Sequence, residues 1–428
     1  MTLAGIFEQL TGEQAGVGFR GYDGSALHRP EALGVIEVRS PRALRYLATA
    51  PGELGLVRAY VTGEIEIHGD LHATLLALLA HGPIPWKSLL LAPRRWMLRR
   101  PPIPTEELPS RWGRGLRVHT RDRDSRAISH HYDLSNRFYE LVLGSSMVYS
   151  CAVFVGAASS LEDAQREKLD LICRKLDLQP GGRLLDVGAG WGSLVRHAAE
   201  HYGVRALGVT LSRKQAEWAR LAIEQDGLKD RAEVRLLDYR DLPDSQFDAI
   251  ASVGAMEHFG SAELGSHFAA MARHLPAEGR MLNHTITRPT GRARHRTGPF
   301  IDRYVFPDGE LQGLGMVIGA MHDHGLEVRH EENLREHYAM TLREWGRNLE
   351  RHWDRVVSEV GERRARVWRL YMAVSRVGFD LNRVQVHQIL GARLAGDGHS
   401  GMPLRPEWSR APTRARSAGR LTRERLTV

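Results

Sequence analysis

Short apolar runs and helix-period stretches alternate through the second half of the chain. Leu184-Leu185-Asp186-Val187 is an apolar run that ends in three glycines at alternate positions, Gly188, Gly190 and Gly192. Leu194 to Glu200 then has the spacing of a helix. Val204 to Val209 is the next apolar run, so the unit reads as strand, tight turn, helix, strand, with a ligand expected at the carboxyl ends of the strands. Ala232 to Leu237 predicts a third strand, Phe247 to Val253 a fourth, Arg280 to Ile286 a fifth and Glu327 to Arg329 a further one. Thr341 to Phe379 reads as helical. Such alternation predicts an α/β fold built on a Rossmann-like, mostly parallel sheet. Ahead of it, Ser160 to Leu178 predicts an amphipathic helix capped by Ser160, with Glu162 and Asp163 in its first turn.

The first part of the chain has a different texture. Val17 to Phe19, Leu33 to Val38 and Ile65 to Ile67 are short apolar runs between Gly and Pro turns, while Arg42 to Ala48 and Leu71 to Ala80 look helical. Leu89 to Arg100 sets Trp96, Met97 and Leu98 among four arginines; it can lie on an anionic lipid surface or pack on its own domain. Pro101-Pro102-Ile103-Pro104 stops any helix and opens a polar linker to about Arg126. The expected division is 1–125 for an N-terminal, membrane-associated region with its linker, 126–400 for the catalytic domain and 401–428 for a basic tail.

Charge narrows the partners. The chain of 428 residues has a net charge of +8, which suits an anionic membrane surface or a nucleic acid. Six arginines against one acid lie within Ser409 to Val428, a disordered tail by composition. Two cysteines, Cys151 and Cys173, make no disulfide framework and fit a reducing cytoplasm. With no signal pattern and no spanning-length apolar run, the chain is expected to be cytoplasmic and peripheral to the inner face of the membrane.

The glycine turn selects a ligand. A dinucleotide site would place a third glycine where Ser193 stands and an acid at the end of the second strand, which here ends in Thr210-Leu211-Ser212. Asp186 inside the turn would repel a phosphate but suits an ammonium, so S-adenosylmethionine fits better than NAD. Asp238, after the third strand, can accept from the amine of an adenine. After the fourth strand comes Gly254-Ala-Met-Glu257-His258-Phe259, without the Pro-Pro-aromatic tetrad that amine-directed nucleic-acid methyltransferases carry at this place. The charge therefore points to a membrane and no nucleic acid is expected.

Nine blocks then stand in one order: HHYDLSNRFYELVL, YSCA, LLDVGAGWG, GVTLSRKQ, DYRDL, MEHFG, NHTITRP, FIDRYVFPDGEL and HYAMTLREW. By these, Ile128 to Leu390 resembles the cyclopropane-fatty-acyl-phospholipid synthase family. YDGS, LATAPGELGLVRAYVTGE and VWRLYMAVSRVGF resemble its actinobacterial unsaturated-fatty-acid methyltransferase branch, which installs a methylene at carbon 10 of an oleoyl chain on the way to tuberculostearic acid. Ala189 replaces the cysteine usual between the first two glycines, and Ser375 stands where some cyclopropane synthases carry a cysteine.

The resemblance implies a class I S-adenosylmethionine-dependent methyltransferase with a seven-stranded sheet, acting on an unsaturated phospholipid. It implies a bound bicarbonate held by Cys151, Glu257, His284, the backbone amide of Ile286, and Tyr338, the last expected just before the final long helix. It carries the cofactor positions onto Tyr149, Ser150, Gly188, Gly190, Thr210, Ser212, Gln215 and Asp238, with Asp186 lining the same pocket and no metal. Methyl transfer to the alkene leaves a cation. Direct loss of a methyl proton gives cyclopropane; loss after a hydride shift gives the 10-methylene. One base serves both, so the ligand set leaves the product open, and branch resemblance favours the methylene. A downstream reductase would then be needed, and a homo-oligomer is compatible with all of this. The rivals are an RNA methyltransferase and a non-catalytic lipid-binding protein.

Overall fold

The computed structural model describes residues 2–12, 16–80, 100–108, 134–156, 158–289, 297–307 and 309–408. Leu89 to Arg99, Ile128 to Asp133 and the tail from Ser409 lie outside the described residues.

Two sheets organise the chain. The smaller contains β1 (Gly18–Gly21), β2 (Ala26–Leu27), β3 (Gly34–Val38) and β4 (Ile65–Gly69), in the order β2-β1-β3-β4. The helix Pro41–Thr49 follows β3 because Ser40 caps it, accepting from the Arg42 amide, and Pro41 fills a first-turn position that has no amide partner to lose.

The larger sheet contains β5 (Arg183–Val187), β6 (Arg205–Thr210), β7 (Ala232–Leu236), β8 (Ala249–Val253), β9 (Arg280–Arg288), β10 (Gln312–Gly313), β11 (Glu327–Asn333) and β12 (Gln385–Ala392). Its order is β11-β12-β9-β8-β5-β6-β7, with short β10 beside the end of β9. The five strands from β7 to β9 run parallel, and β12 is antiparallel to both neighbours. The chain leaves β5 on one side through β6 and β7, then crosses to the other through β8 and β9. That reversal opens a crevice at the carboxyl ends of β5 and β8. Successive residues of a strand face opposite sides, so Leu184 joins one buried layer with Val195 and Ala219, and Leu185 joins the other with Phe268 and Met271.

The helices and the last strand depart from the expectations. The helical stretch 341–379 is three helices, Arg335–Arg351, Trp353–Val360 and Glu362–Asp380, broken at His352 and at Gly361, whose φ of 80° no helix accommodates. Tyr338 is consequently inside the first of them, one turn from its start. Strand β12 had no counterpart in the apolar pattern, because His387 and Gln388 interrupt it. Both are buried with partners, His387 on Glu331 and Gln388 on Lys175.

The stretch after Pro101 is no solvated linker where it is described. Tyr46 donates to the Pro102 carbonyl (2.9 Å), and the fully buried carboxylate of Glu107 takes Arg58 (2.6 Å), Arg303 (2.6 Å) and the Tyr304 hydroxyl (3.0 Å). Arg366 makes a second tie, donating to the carbonyls of Tyr60 (2.7 Å) and Ile65 (3.0 Å) and to Glu66 (2.7 Å). Tyr60 and Ile67 thereby share one core with Phe138, Trp345 and Trp368. Glu107→Ala would leave Arg58 and Arg303 buried without their anion, at a cost of ~3–5 kcal/mol. We expect a correspondingly lower urea midpoint with an unchanged slope. Residues 401–408, grouped with the basic tail by composition, also pack: Arg174 donates to the Trp408 carbonyl (2.8 Å) and His330 lies against the Trp408 ring.

Candidate active site

At the crevice, the loop after β5 passes through Gly188, Gly190 and Gly192 with φ of 79°, 54° and 76°, the left-handed region where a side chain is strained. A Cβ on Gly188 would stand 2.7 Å from that of Ala255, so the turn can close only with glycine there. Around this turn a pocket is lined by Tyr149, Ser150, Asp186, Gly188, Gly190, Thr210, Gln215 and Asp238, eight of the nine residues expected to hold a cofactor. Ser212 is not on the wall. It caps the helix Arg213–Gln225 by accepting from the Gln215 amide, while Thr210 donates to the Gln215 side chain (2.7 Å). The Asp238 carboxylate is gripped by Arg240 at 2.9 Å and 2.6 Å, so at the rim it acts in company with a guanidinium.

Asp186 is fully buried, and burial raises its carboxyl to about 7 against the pull of Lys168. Its Oδ1 has no hydrogen-bond partner among the described residues. Lys168, from the helix Leu161–Lys175, lines the same pocket and donates to Ser150 Oγ (2.9 Å); burial lowers it to about 8. A ligand ammonium binds the ionised carboxylate. Affinity should therefore rise with pH as Asp186 ionises and level off above about 7. Calorimetric titration with S-adenosylhomocysteine from pH 6 to 8 should show that rise in the native chain and lose it in Asp186→Asn.

Beside this pocket, and sharing Tyr149, Ser150, Gly254 and His258 with it, lies a cavity of about 610 Å³, a size typical of small-molecule sites. Cys151, Glu257, His284, Ile286 and Tyr338 all line it, although they come from four different parts of the chain, His284 and Ile286 sharing β9. Glu257 lies on the turn Met256–His258 after β8 and is the only acid among the described lining residues. Its Oε1 accepts from the Ile286 amide (2.6 Å), its Oε2 has no partner among the described residues, and burial raises its carboxyl. The Ile286 amide, expected to hold the anion directly, thus meets Glu257 first. The Cys151 thiol is pushed up by burial and donates to backbone carbonyls, so it stays a thiol.

His284 can be assigned a tautomer. Lys175 Nζ, a donor only, lies 2.8 Å from Gln388 Oε1, which fixes the orientation of that amide. The Gln388 Nε2 group then donates to His284 Nδ1 (3.2 Å), placing the imidazole proton on Nε2. That Nε2 is buried and has no partner among the described residues, and burial holds the ring well below its usual range, hence neutral.

A family description, mycolic acid cyclopropane synthetase, matches residues 119–389. The chain belongs to that family. It is 46% identical over 432 residues to a probable fatty acid methyltransferase of Mycobacterium tuberculosis, covering 95% of this chain and 98% of the relative. It is 33% identical to the tuberculostearic acid methyltransferase UfaA1 of the same organism, covering 85% and 81%. Among solved structures, mycolic acid cyclopropane synthase CmaA1 complexed with SAH and CTAB is 32% identical, with a TM-score of 0.59, covering 62% of this chain and 97% of that one. The family named by the motifs is the family found, and the chain is a class I S-adenosylmethionine-dependent methyltransferase.

Several residues of this methyltransferase that line the two pockets, or contact a residue that does, escaped the sequence reading. Lys168 had a signal, a cation on the apolar face of an amphipathic helix. Gln388 had a weaker one, an amide inside an apolar strand. Tyr371, whose hydroxyl lies 3.4 Å from that of Tyr149, and Phe306 had none beyond their place in the quoted blocks.

Proposed function

We propose that this enzyme transfers a methyl group to the cis double bond of an unsaturated phospholipid acyl chain and removes a proton from it. The product would be 10-methylene-octadecanoyl lipid, the precursor of tuberculostearic acid. The observation that carries this reading is the continuity of the two sites: a largely apolar cavity opens onto the donor pocket through shared residues.

S-adenosylmethionine, when bound, supplies an electrophilic methyl. The residues fit it: the glycine turn leaves room for close approach, and the orphaned Asp186 oxygen suits its ammonium. Tyr338, Tyr371, Phe306 and Phe379 wall the cavity, keep water from the electron-poor chain and offer it their π faces. A bicarbonate between Glu257 and His284 would accept the proton; support comes from the orphaned Glu257 Oε2 and the His284 Nε2–H, an acceptor and a donor on one wall. A small captive anion suits this place because a free carboxylate against a cation risks forming an ester.

The family description favours a second product, the cyclopropane, formed when the proton leaves before a hydride shift. Proton NMR of lipids from cells expressing the chain separates the two, since exocyclic vinylic protons and ring protons resonate far apart. Cyclopropane signals alone would overturn the methylene. The proposal includes peripheral binding at the cytoplasmic membrane face, a separate reductase for the methylene and no nucleic-acid substrate. No helix among the described residues is long and apolar enough to cross a membrane.

A further inference from the structure

A second concavity, of about 810 Å³, lies between the helix Arg335–Arg351, the helix Glu362–Asp380 and the turn after β4. Five arginines line it: Arg343, Arg347 and Arg351 from the first helix, Arg369 and Arg376 from the second. The first three are spaced i, i+4, i+8, which stacks them as one stripe of like charges that destabilise one another unless an anion lies across them. Only Asp70 and Glu350 among the described lining residues are acidic, and both are engaged. Asp70 caps the helix Leu71–Ala80 through the Ala73 amide (2.9 Å), and Glu350 pairs with Arg369. Behind the stripe a single carboxylate, Glu344, serves both Arg343 (2.8 Å) and Arg347 (2.9 Å). Arg376 Nε is buried with no hydrogen-bond partner among the described residues, the Asp380 carboxylate standing 3.8 Å away.

Leu342 lines both this groove and the acyl cavity, so one side chain separates a cluster of guanidiniums from an apolar chamber. We propose that the groove binds a phosphodiester, the headgroup phosphate of the lipid whose acyl chain enters the cavity. This rests on the phospholipid reading above and adds to it where the head is held. Guanidinium forks match phosphate oxygens bidentately, and a groove of this volume with five of them exceeds what the carboxylate of a free fatty acid would fill. At 60% side-chain exposure, Arg347 is accessible from solvent for first capture.

The test uses the full chain and Arg343→Gln/Arg347→Gln, two outward residues remote from the donor pocket. Binding is read by phosphorus NMR line broadening of monomeric dihexanoylphosphatidylglycerol, with inorganic phosphate as a parallel probe. Turnover is read as S-adenosylhomocysteine release from dioleoylphosphatidylglycerol and from dioleoylglycerol, each in neutral detergent micelles. We expect broadening with the native chain that the double variant loses, and a fall of at least ~10-fold in kcat/KM for the phospholipid alone, from two lost charge-assisted contacts. Equal loss on both lipids, or none on either, would overturn the headgroup site. Broadening of inorganic phosphate alone would reassign the groove to the free anion, and a variant defect seen only with an acyl chain on an acidic carrier protein would reassign it to a protein partner. If the native chain turns over neither lipid while the broadening persists, the catalytic reading fails and the groove stands.

Discussion

Glu257→Gln should lower turnover by about 10³-fold, or ~4 kcal/mol of barrier, while leaving S-adenosylhomocysteine affinity unchanged. Glu257 lines the cavity with a buried Oε2 and is its only acid among the described lining residues. In the proposed reaction the acyl chain becomes cationic, and among the described lining residues the acid able to answer with negative charge, directly or through a shared proton, is this carboxyl. Glutamine keeps the shape and can still accept from the Ile286 amide, but it cannot ionise or pass a proton. The donor pocket is built from Asp186, the glycine turn and Gln215, none of which touches this change. Single-turnover rates with saturating cofactor, beside calorimetric binding, would check both halves. A variant that turned over normally would remove Glu257 from the chemistry, and one that lost cofactor binding as well would show the two sites to be structurally inseparable.

The extent to which this site was legible beforehand follows from how local each signal is. The strand, glycine turn and helix at Leu184 to Glu200 can be read directly, since apolar period and positive-φ glycines act within a few residues. Ser160 capping the helix Leu161–Lys175 is of the same kind. Gathering Cys151, Glu257, His284, Ile286 and Tyr338 into one cavity is a matter of topology, and it came from the order of family motifs, not from any pattern in the residues themselves. What stayed hidden depends on distant partners. Glu107 looks like a surface acid in a proline-led linker until Arg58 and Arg303 are found around it. Lys175 looks like the solvated side of a helix and Lys168 like a cation on its apolar face, and both are buried, one over the Gly-turn pocket and one beneath β12. Strand β12 was missed for the complementary reason: its polar residues are core residues whose partners lie on other strands and on the helix beneath.

Those hidden residues converge on the second large effect. Gln388→Glu should reduce kcat by ~10²-fold with little change in KM, because it reverses the proton on His284. In the native chain the amide is held by Lys175 and donates to Nδ1, so Nε2 carries its hydrogen toward the cavity. A carboxylate at that position would keep the contact with Lys175 but can only accept, so it would draw the hydrogen to Nδ1 and turn a lone pair toward the cavity in place of a donor. An anion beside Glu257 would then lose a hydrogen bond and meet a repulsive dipole. The substitution preserves volume and supplies Lys175 with a countercharge, which separates this effect from simple unfolding. Nitrogen-15 spectra of the His284 ring read the tautomer directly, a signal that a merely structural role for Gln388 would not move. The prediction requires that the tautomer switch and that the rate fall with it. A switched ring with native turnover would mean that His284 donates nothing to the reacting site.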